Sequence, residues 1–168
     1  MALLAQRTMV CPPGLCLSHP AQVRVVASAR PAQTRPLRVF LVEDSQLTVD
    51  NLSALLRQTG LDCIVGSAED ETTALQRIHG LHQEQPLDLL IIDIFLKAGS
   101  GLGVLKKLAG LPGGVSLIPR VVITNFAREE IQQACLALGA ERFFDKCTNL
   151  DALVEHCHTV LARRNSRA

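Results

Sequence analysis

The chain has 168 residues, room for one ordinary domain and little more, and 48% of them are hydrophobic, enough to bury a core. It has no Trp or Tyr and five Phe, which starves any base-stacking surface for nucleic acid. The net charge of +1 is uneven: residues 1–36 hold four Arg and no acid, while 37–168 hold 13 Lys and Arg against 16 Asp and Glu, a net of −3 that argues against a nucleic-acid footprint on the body.

Residues 1–36 contain five prolines and no sustained periodicity, so they read as a disordered leader or a start assigned too far upstream, with Met9 as another start. MALLAQRTMVCPPGLCL is interrupted by Arg7 and Pro12-Pro13 and makes a poor secretory signal. No stretch approaches the roughly 20 apolar residues of a membrane span.

From Leu37 the pattern changes. LRVFLV (37–42) is an apolar run of strand length, followed by SQLTVDNLSALLRQTG with Leu52, Leu55, Leu56 and Thr59 at helical spacing and Gly60 as a stop. DCIVGSA (62–68) predicts a second strand, and 68–79 a second helix stopped by Gly80. LDLLII (87–92) predicts a buried third strand, and 101–109 a third helix. After the turn LPGG, RVVIT (120–124) predicts a fourth strand, 128–138 a fourth helix closed by Gly139, and RFFD (142–145) a fifth strand. The last helix, 149–163, has apolar residues at 150, 153, 154, 157, 160 and 161.

Five β-α units with continuously apolar strands predict an α/β fold, a doubly wound parallel sheet covered by helices on both faces. Ligands of such folds sit outside the carboxyl ends of the strands. There the sequence places Glu43 and Asp44 after the first strand, Asp93 after the third, Thr124 at the end of the fourth and Lys146 after the fifth. Taken singly, each has a plainer reading: a cap or turn residue, a strand threonine, a solvated lysine. Together, three carboxylates on one edge make a site for a hard cation, and oxygen ligands suit Mg²⁺.

The six cysteines, at 11, 16, 63, 135, 147 and 157, form no CxxC pair and read as reduced thiols of a cytosolic protein. His156, Cys157 and His158 are neighbours in sequence and would point to different sides of a helix. His79 and His82 flank Gly80 and read as solvated residues near a helix end.

Four motifs, VEDS (42–45), IIDIFLKAGSGL (91–102), VVITN (121–125) and GAERFFDK (139–146), resemble the receiver domain of bacterial two-component response regulators, the CheY-like superfamily. The resemblance spans Leu37 to about Arg163 and implies the flavodoxin-like strand order 2-1-3-4-5. It implies three parts: residues 1–36 outside the domain, a receiver over 37–163, and a short tail over 164–168. It implies Asp93 as phosphoacceptor, Mg²⁺ held by Asp44, Asp93, the Phe95 carbonyl and, through water, Glu43, with Thr124 and Lys146 binding phosphoryl oxygens. Thr124 and Phe143 would form the switch. The phosphodonor would be a sensor histidine kinase or phosphotransfer protein in the cytoplasm, and the output a protein contact on the Arg128–Phe143–Lys146 side or a phosphorylation-dependent homodimer.

Departures from the pattern fall at Cys147 and Lys97, where many relatives have proline, and at Phe95 and Phe126, positions that tune phosphoryl lifetime in the family. Beyond self-phosphorylation and autodephosphorylation no enzyme activity is expected. The alternatives are a pseudo-receiver that is never phosphorylated and a haloacid-dehalogenase-type phosphatase. The phosphatase needs a second acid where Phe95 stands. Five residues, RNSRA, follow the last helix, so a stand-alone receiver is expected, with Arg163, Arg164 and Arg167 as a solvated basic end.

Overall fold

The computed structural model describes residues 35–166. In chain order these form β1 (Val39–Val42), α1 (Gln46–Gln58), β2 (Ile64–Ala68), α2 (Glu71–Glu84), β3 (Leu89–Asp93), α3 (Gly101–Leu108), a 3₁₀ turn (Val115–Leu117), β4 (Arg120–Thr124), α4 (Glu129–Ala137), β5 (Arg142–Asp145) and α5 (Leu150–Asn165). The five strands make one sheet in the order β2-β1-β3-β4-β5, and every pairing is parallel. This is the expected doubly wound, flavodoxin-like arrangement.

The alternation of side chains along the strands builds two cores. Phe40, Val42, Leu90, Ile92 and Val122 pack with residues of α2, α3 and α4, including Ala74, Val104 and Cys135. Val39, Leu41, Leu89, Ile91, Val121, Ile123 and Phe144 pack with Leu52, Leu56, Leu153 and Cys157 of α1 and α5. All five residues of β3 and of β4 are buried. Their continuous apolar sequence reflects burial on both faces.

Three helices start on side-chain caps. Ser45, Asp70 and Ser100 each accept a hydrogen bond from the amide three residues on. The expected stop at Gly80 is overturned, because α2 runs through it to Glu84. A helical glycine costs about 1 kcal/mol relative to alanine. The extra turn places Leu81 against the core, and His82 Nδ1 accepts a hydrogen bond from the Leu87 amide at 3.1 Å. His82 is therefore a structural acceptor, not a freely solvated residue.

The basic end also differs from expectation. Arg164 lies inside α5, its side chain 19% exposed, and its Nη1 donates to the Pro36 carbonyl at 3.0 Å and to Asp88 Oδ2 at 3.2 Å. Asp88 also takes a two-pronged contact from Arg35 at 2.7 and 2.9 Å. Arg35 and Pro36, assigned to the leader by sequence, are thus tied to the domain, while residues 1–34, 167 and 168 lie outside the described residues.

His156 is buried on α5 beside the Phe144 ring, and its Nε2 has no hydrogen-bond partner. Burial lowers its pKa from 6.5; Glu141, with an oxygen 4.0 Å away, opposes that shift, and Arg142 and Arg163 add to it. The unfolded chain then binds the proton first, so stability falls as pH drops below about 6.5. A His156→Phe variant should lack this loss, read as urea midpoints between about pH 7.5 and about pH 5.5. Equal acid slopes in the two proteins would count against His156 as the source.

Candidate functional site

A cavity of about 240 Å³ opens at the carboxyl ends of β1, β3, β4 and β5, lined by Glu43, Asp44, Ser45, Thr48, Asp93, Phe95, Thr124, Asn125, Phe126 and Lys146. The strands aim its charged groups. Asp93 ends β3 in phase with Leu89 and Ile91, and Glu43 continues the phase of Val39 and Leu41, toward the α1/α5 side. Thr124 ends β4 in the opposite phase, with Val122, and pairs in register with Asp145 of β5.

Lys146 joins the acids. Its Nζ donates to Glu43 Oε2 and to Asp93 Oδ2, both at 2.6 Å. The three side chains are 10%, 1% and 8% exposed, so this is a buried ion triad. Charges this far from water are tolerated only when paired and hydrogen-bonded. Burial alone would lower the Lys146 pKa, but its hydrogen bonds to Asp93 and Glu43 overcome that and hold it above 10.5. The ammonium therefore persists at neutral pH. Burial raises the Glu43 pKa above 4.5, against the pull of Lys146.

One ammonium against three carboxylates leaves an excess of negative charge. Asp44 is exposed at the rim, and Glu43, Asp44 and Asp93 each offer an oxygen within 4.8 Å of the others. The donor set is all oxygen, which fits a hard divalent cation. It is the one such cluster among the described residues.

Backbone contacts hold the lining in place. The Lys146 amide donates to the Thr124 carbonyl at 3.0 Å. Thr124 is fully buried, and its Oγ1 accepts from the Phe126 amide at 3.3 Å. The Lys146–Cys147 bond is trans. The following turn is closed by Asp145, whose Oδ1 accepts from the amides of Cys147 at 2.7 Å and Thr148 at 3.2 Å. Asp145 is not among the candidates above, and the signal that marks it is an aspartate opening a turn. At the mouth, the Phe95 and Phe126 rings meet edge to face, 5.0 Å between centroids, and are 50% and 55% exposed. Phe143 is half-buried and packs on the α2–α4 side. All seven side chains singled out by sequence thus lie at or near one sheet edge, with Phe143 set behind Thr124 rather than lining the cavity.

The sequence pattern described as response regulator receiver domain matches residues 39–158. The chain belongs to that family.

Curated relatives of this receiver are larger proteins. It is 36% identical over 118 residues to protein-glutamate methylesterase/protein-glutamine glutaminase 5 of Myxococcus xanthus, covering 68% of this chain and 31% of that protein. It is 27% identical over 128 residues to the transcriptional regulatory protein PdtaR of Mycobacterium tuberculosis, covering 76% and 58%. The chain thus spans about a third to somewhat over half of these relatives. Among solved structures, the CheY-like receiver domain protein of Methanospirillum hungatei superposes with a TM-score of 0.64 at 22% identity, covering 80% of this chain and all of that one. The CheX-CheY-BeF3-Mg complex of Borrelia burgdorferi gives a TM-score of 0.65 at 22% identity over 74% of this chain and 89% of that one. These similarities at low identity concern the fold.

Proposed function

We propose that this receiver takes a phosphoryl group on Asp93 from a phosphohistidine of a sensor histidine kinase or phosphotransfer protein, and that the acyl phosphate switches a protein-binding surface. The observation that carries the reading is the buried triad, in which Lys146 bridges Glu43 and Asp93 beside Asp44. A buried carboxylate already in contact with a cation is a nucleophile with a ready place for an incoming anion. As an Asp93 oxygen bonds to phosphorus, the bond from phosphorus to the imidazole nitrogen breaks and its electron pair leaves with that nitrogen. Lys146 is placed to transfer its hydrogen bond from Asp93 to a phosphoryl oxygen, and the Thr124 hydroxyl to bind another.

Mg²⁺ would be held by Asp44, Asp93, the Phe95 carbonyl and, through water, Glu43, and when bound it supplies charge neutralisation on the phosphoryl group. The all-oxygen cluster supports this assignment. The protein itself brings the attacking carboxylate, excludes bulk water from it and fixes the cationic side chain. The test is labelling with acetyl phosphate, which should proceed with Mg²⁺ and cease with excess chelator. Labelling that ignores the chelator would overturn the metal's part.

The aromatic pair sets a second expectation. Phe95 and Phe126 cover the mouth from opposite loops, so they should slow water's approach to the acyl phosphate. Phe95→Ala and Phe126→Ala should each shorten the phosphoryl half-life several-fold, read by intact mass after removal of excess donor. An unchanged half-life would show that the rings do not shield the bond.

The output follows from Thr124 and Phe143, which share the α4 side of the sheet. Helix α4 buries only Cys135 fully and so is lightly anchored. A Thr124 hydroxyl drawn to the phosphoryl group would vacate space that Phe143 can fill, remodelling the α4–β5–α5 surface. That surface would bind a downstream protein or a second copy of the chain. Pull-down with the beryllofluoride form against the unmodified form tests this, and identical captures would argue for an inert interaction module. A phosphatase reading gains no support, because the acid it requires is replaced by the apolar Phe95. A histidine-kinase donor also implies a cytoplasmic site of action.

A further inference from the structure

Glu71 opens α2, well away from the cavity lining, yet its side chain is only 14% exposed. It faces the β3–α3 loop, residues 94–100. Its Oε2 accepts a hydrogen bond from the Ser100 amide at 3.0 Å, and its Oε1 lies 2.7 Å from Lys107 Nζ on α3. The Glu71 amide donates to the Ala98 carbonyl at 3.0 Å, and the Lys97 amide to the Glu69 carbonyl at 3.0 Å. The loop is thus bound to Glu69 and Glu71 at three of its residues, Lys97, Ala98 and Ser100.

Two glycines make room for this carboxylate. A Cβ at Gly99 would come within 2.5 Å of Glu71 Cβ, and a Cβ at Gly103 would overlap the Glu71 carboxylate. Gly99 also has φ +76°, which an ordinary side chain rarely adopts. Gly103, on α3, is in no such conformation, so space for Glu71 is what its missing side chain provides. Glu71, Gly99 and Gly103 form one fitted unit.

The unit bears on the Asp93 site through the backbone. Ser100 pairs with Phe95 in an antiparallel bridge, and the Gly101 amide donates to the Ile94 carbonyl at 2.8 Å. Fixing Ser100 therefore fixes Phe95, one residue from Ile94 and two from Asp93. The loop has Lys97 where many relatives have a stiffening proline. Its own Lys97–Glu69 pair, 2.8 Å long, is 66% and 54% exposed and adds little. The part-buried hydrogen bond from the Ser100 amide to Glu71 is the stronger restraint.

We infer that Glu71 is a positioning residue for the metal site, holding the β3–α3 loop so that the Phe95 carbonyl faces the carboxylates. This rests on the proposed role of that carbonyl as a ligand. The test is Mn²⁺ affinity, measured by the free-ion electron paramagnetic resonance signal on proteins shown to be fully folded. Removing a group that orients a metal ligand costs about 10- to 100-fold in affinity. Glu71→Ala should weaken Mn²⁺ binding about tenfold, near the lower end of that range. Glu71→Gln keeps an acceptor for the Ser100 amide and should stay within about threefold of wild type, because only the exposed Lys107 contact is lost. Should Glu71→Ala fail to fold, Gly103→Ala takes its place with the same expectation, since it pushes the carboxylate off Ser100. Wild-type affinity in Glu71→Ala, or in Gly103→Ala where that takes its place, or equal losses in Glu71→Ala and Glu71→Gln, overturns the inference. Absence of Mn²⁺ binding by the wild type, or binding left unchanged by Asp44→Asn, would instead overturn the metal site itself.

Discussion

Incubated with acetyl phosphate and Mg²⁺, the wild-type chain should gain the mass of one phosphate, and Asp93→Asn none. The amide cannot act as the anionic nucleophile, so the effect is all or none within the sensitivity of intact-mass measurement. The variant should remain folded. Glu43 keeps its contact to Lys146 at 2.6 Å, and the repulsion between Asp93 and Glu43, which helps raise the Glu43 pKa, disappears. Thermal unfolding should place Asp93→Asn at or above the wild-type midpoint. Loss of labelling in a folded protein then reports chemistry and not damage. An unlabelled wild type would favour a pseudo-receiver, and a labelled Asp93→Asn would move the phosphoacceptor elsewhere.

Lys146→Met carries the largest expected cost in stability. It retains the length and apolar stem of lysine but leaves Glu43 and Asp93 buried without a cation. Breaking a buried pair by removing one partner costs about 3–5 kcal/mol. For a domain of this size that corresponds to a fall of roughly 10–20 °C in the melting midpoint. A divalent cation binding the three carboxylates would restore part of it, since a ligand that binds only the folded state stabilises it more the further its concentration exceeds its Kd. The rise in midpoint on adding Mg²⁺ should therefore be larger in Lys146→Met than in the wild type. Phosphorylation by acetyl phosphate should fall sharply as well. A midpoint within about 2 °C of wild type would mean that the triad contributes little, as some buried ion pairs do.

Much of this was legible in the chain itself. Strands β4 and β5 begin and end at the residues expected, and β3 starts two residues later than its expected 87–92 and ends one later, at Asp93. Such runs are local, and β-branched residues between turn signals specify them without help. Less local features were misread. Gly80 looked like a helix stop, but packing of Leu81 carries α2 past it. Arg164 looked like solvated tail, but Asp88 and the Pro36 carbonyl, far away in sequence, bury it. In the first a tertiary contact outweighs a helix propensity of about 1 kcal/mol, and in the second it removes from water a charge that the local sequence leaves solvated.

The residue types and their order after the strands were determined by sequence alone, because a parallel α/β sheet brings all its strand ends to one edge whatever the details of packing. Only the tertiary structure decided which of them touch. Lys146 stands 103 residues from Glu43 and 53 from Asp93, yet reaches both at 2.6 Å. That meeting depends on the placement of β1 and β5 on either side of β3 and β4, on the register between them and on the turn that Asp145 closes. Local propensity carries no information about such distances, which are fixed by how the strands pair and which side chains leave room for others.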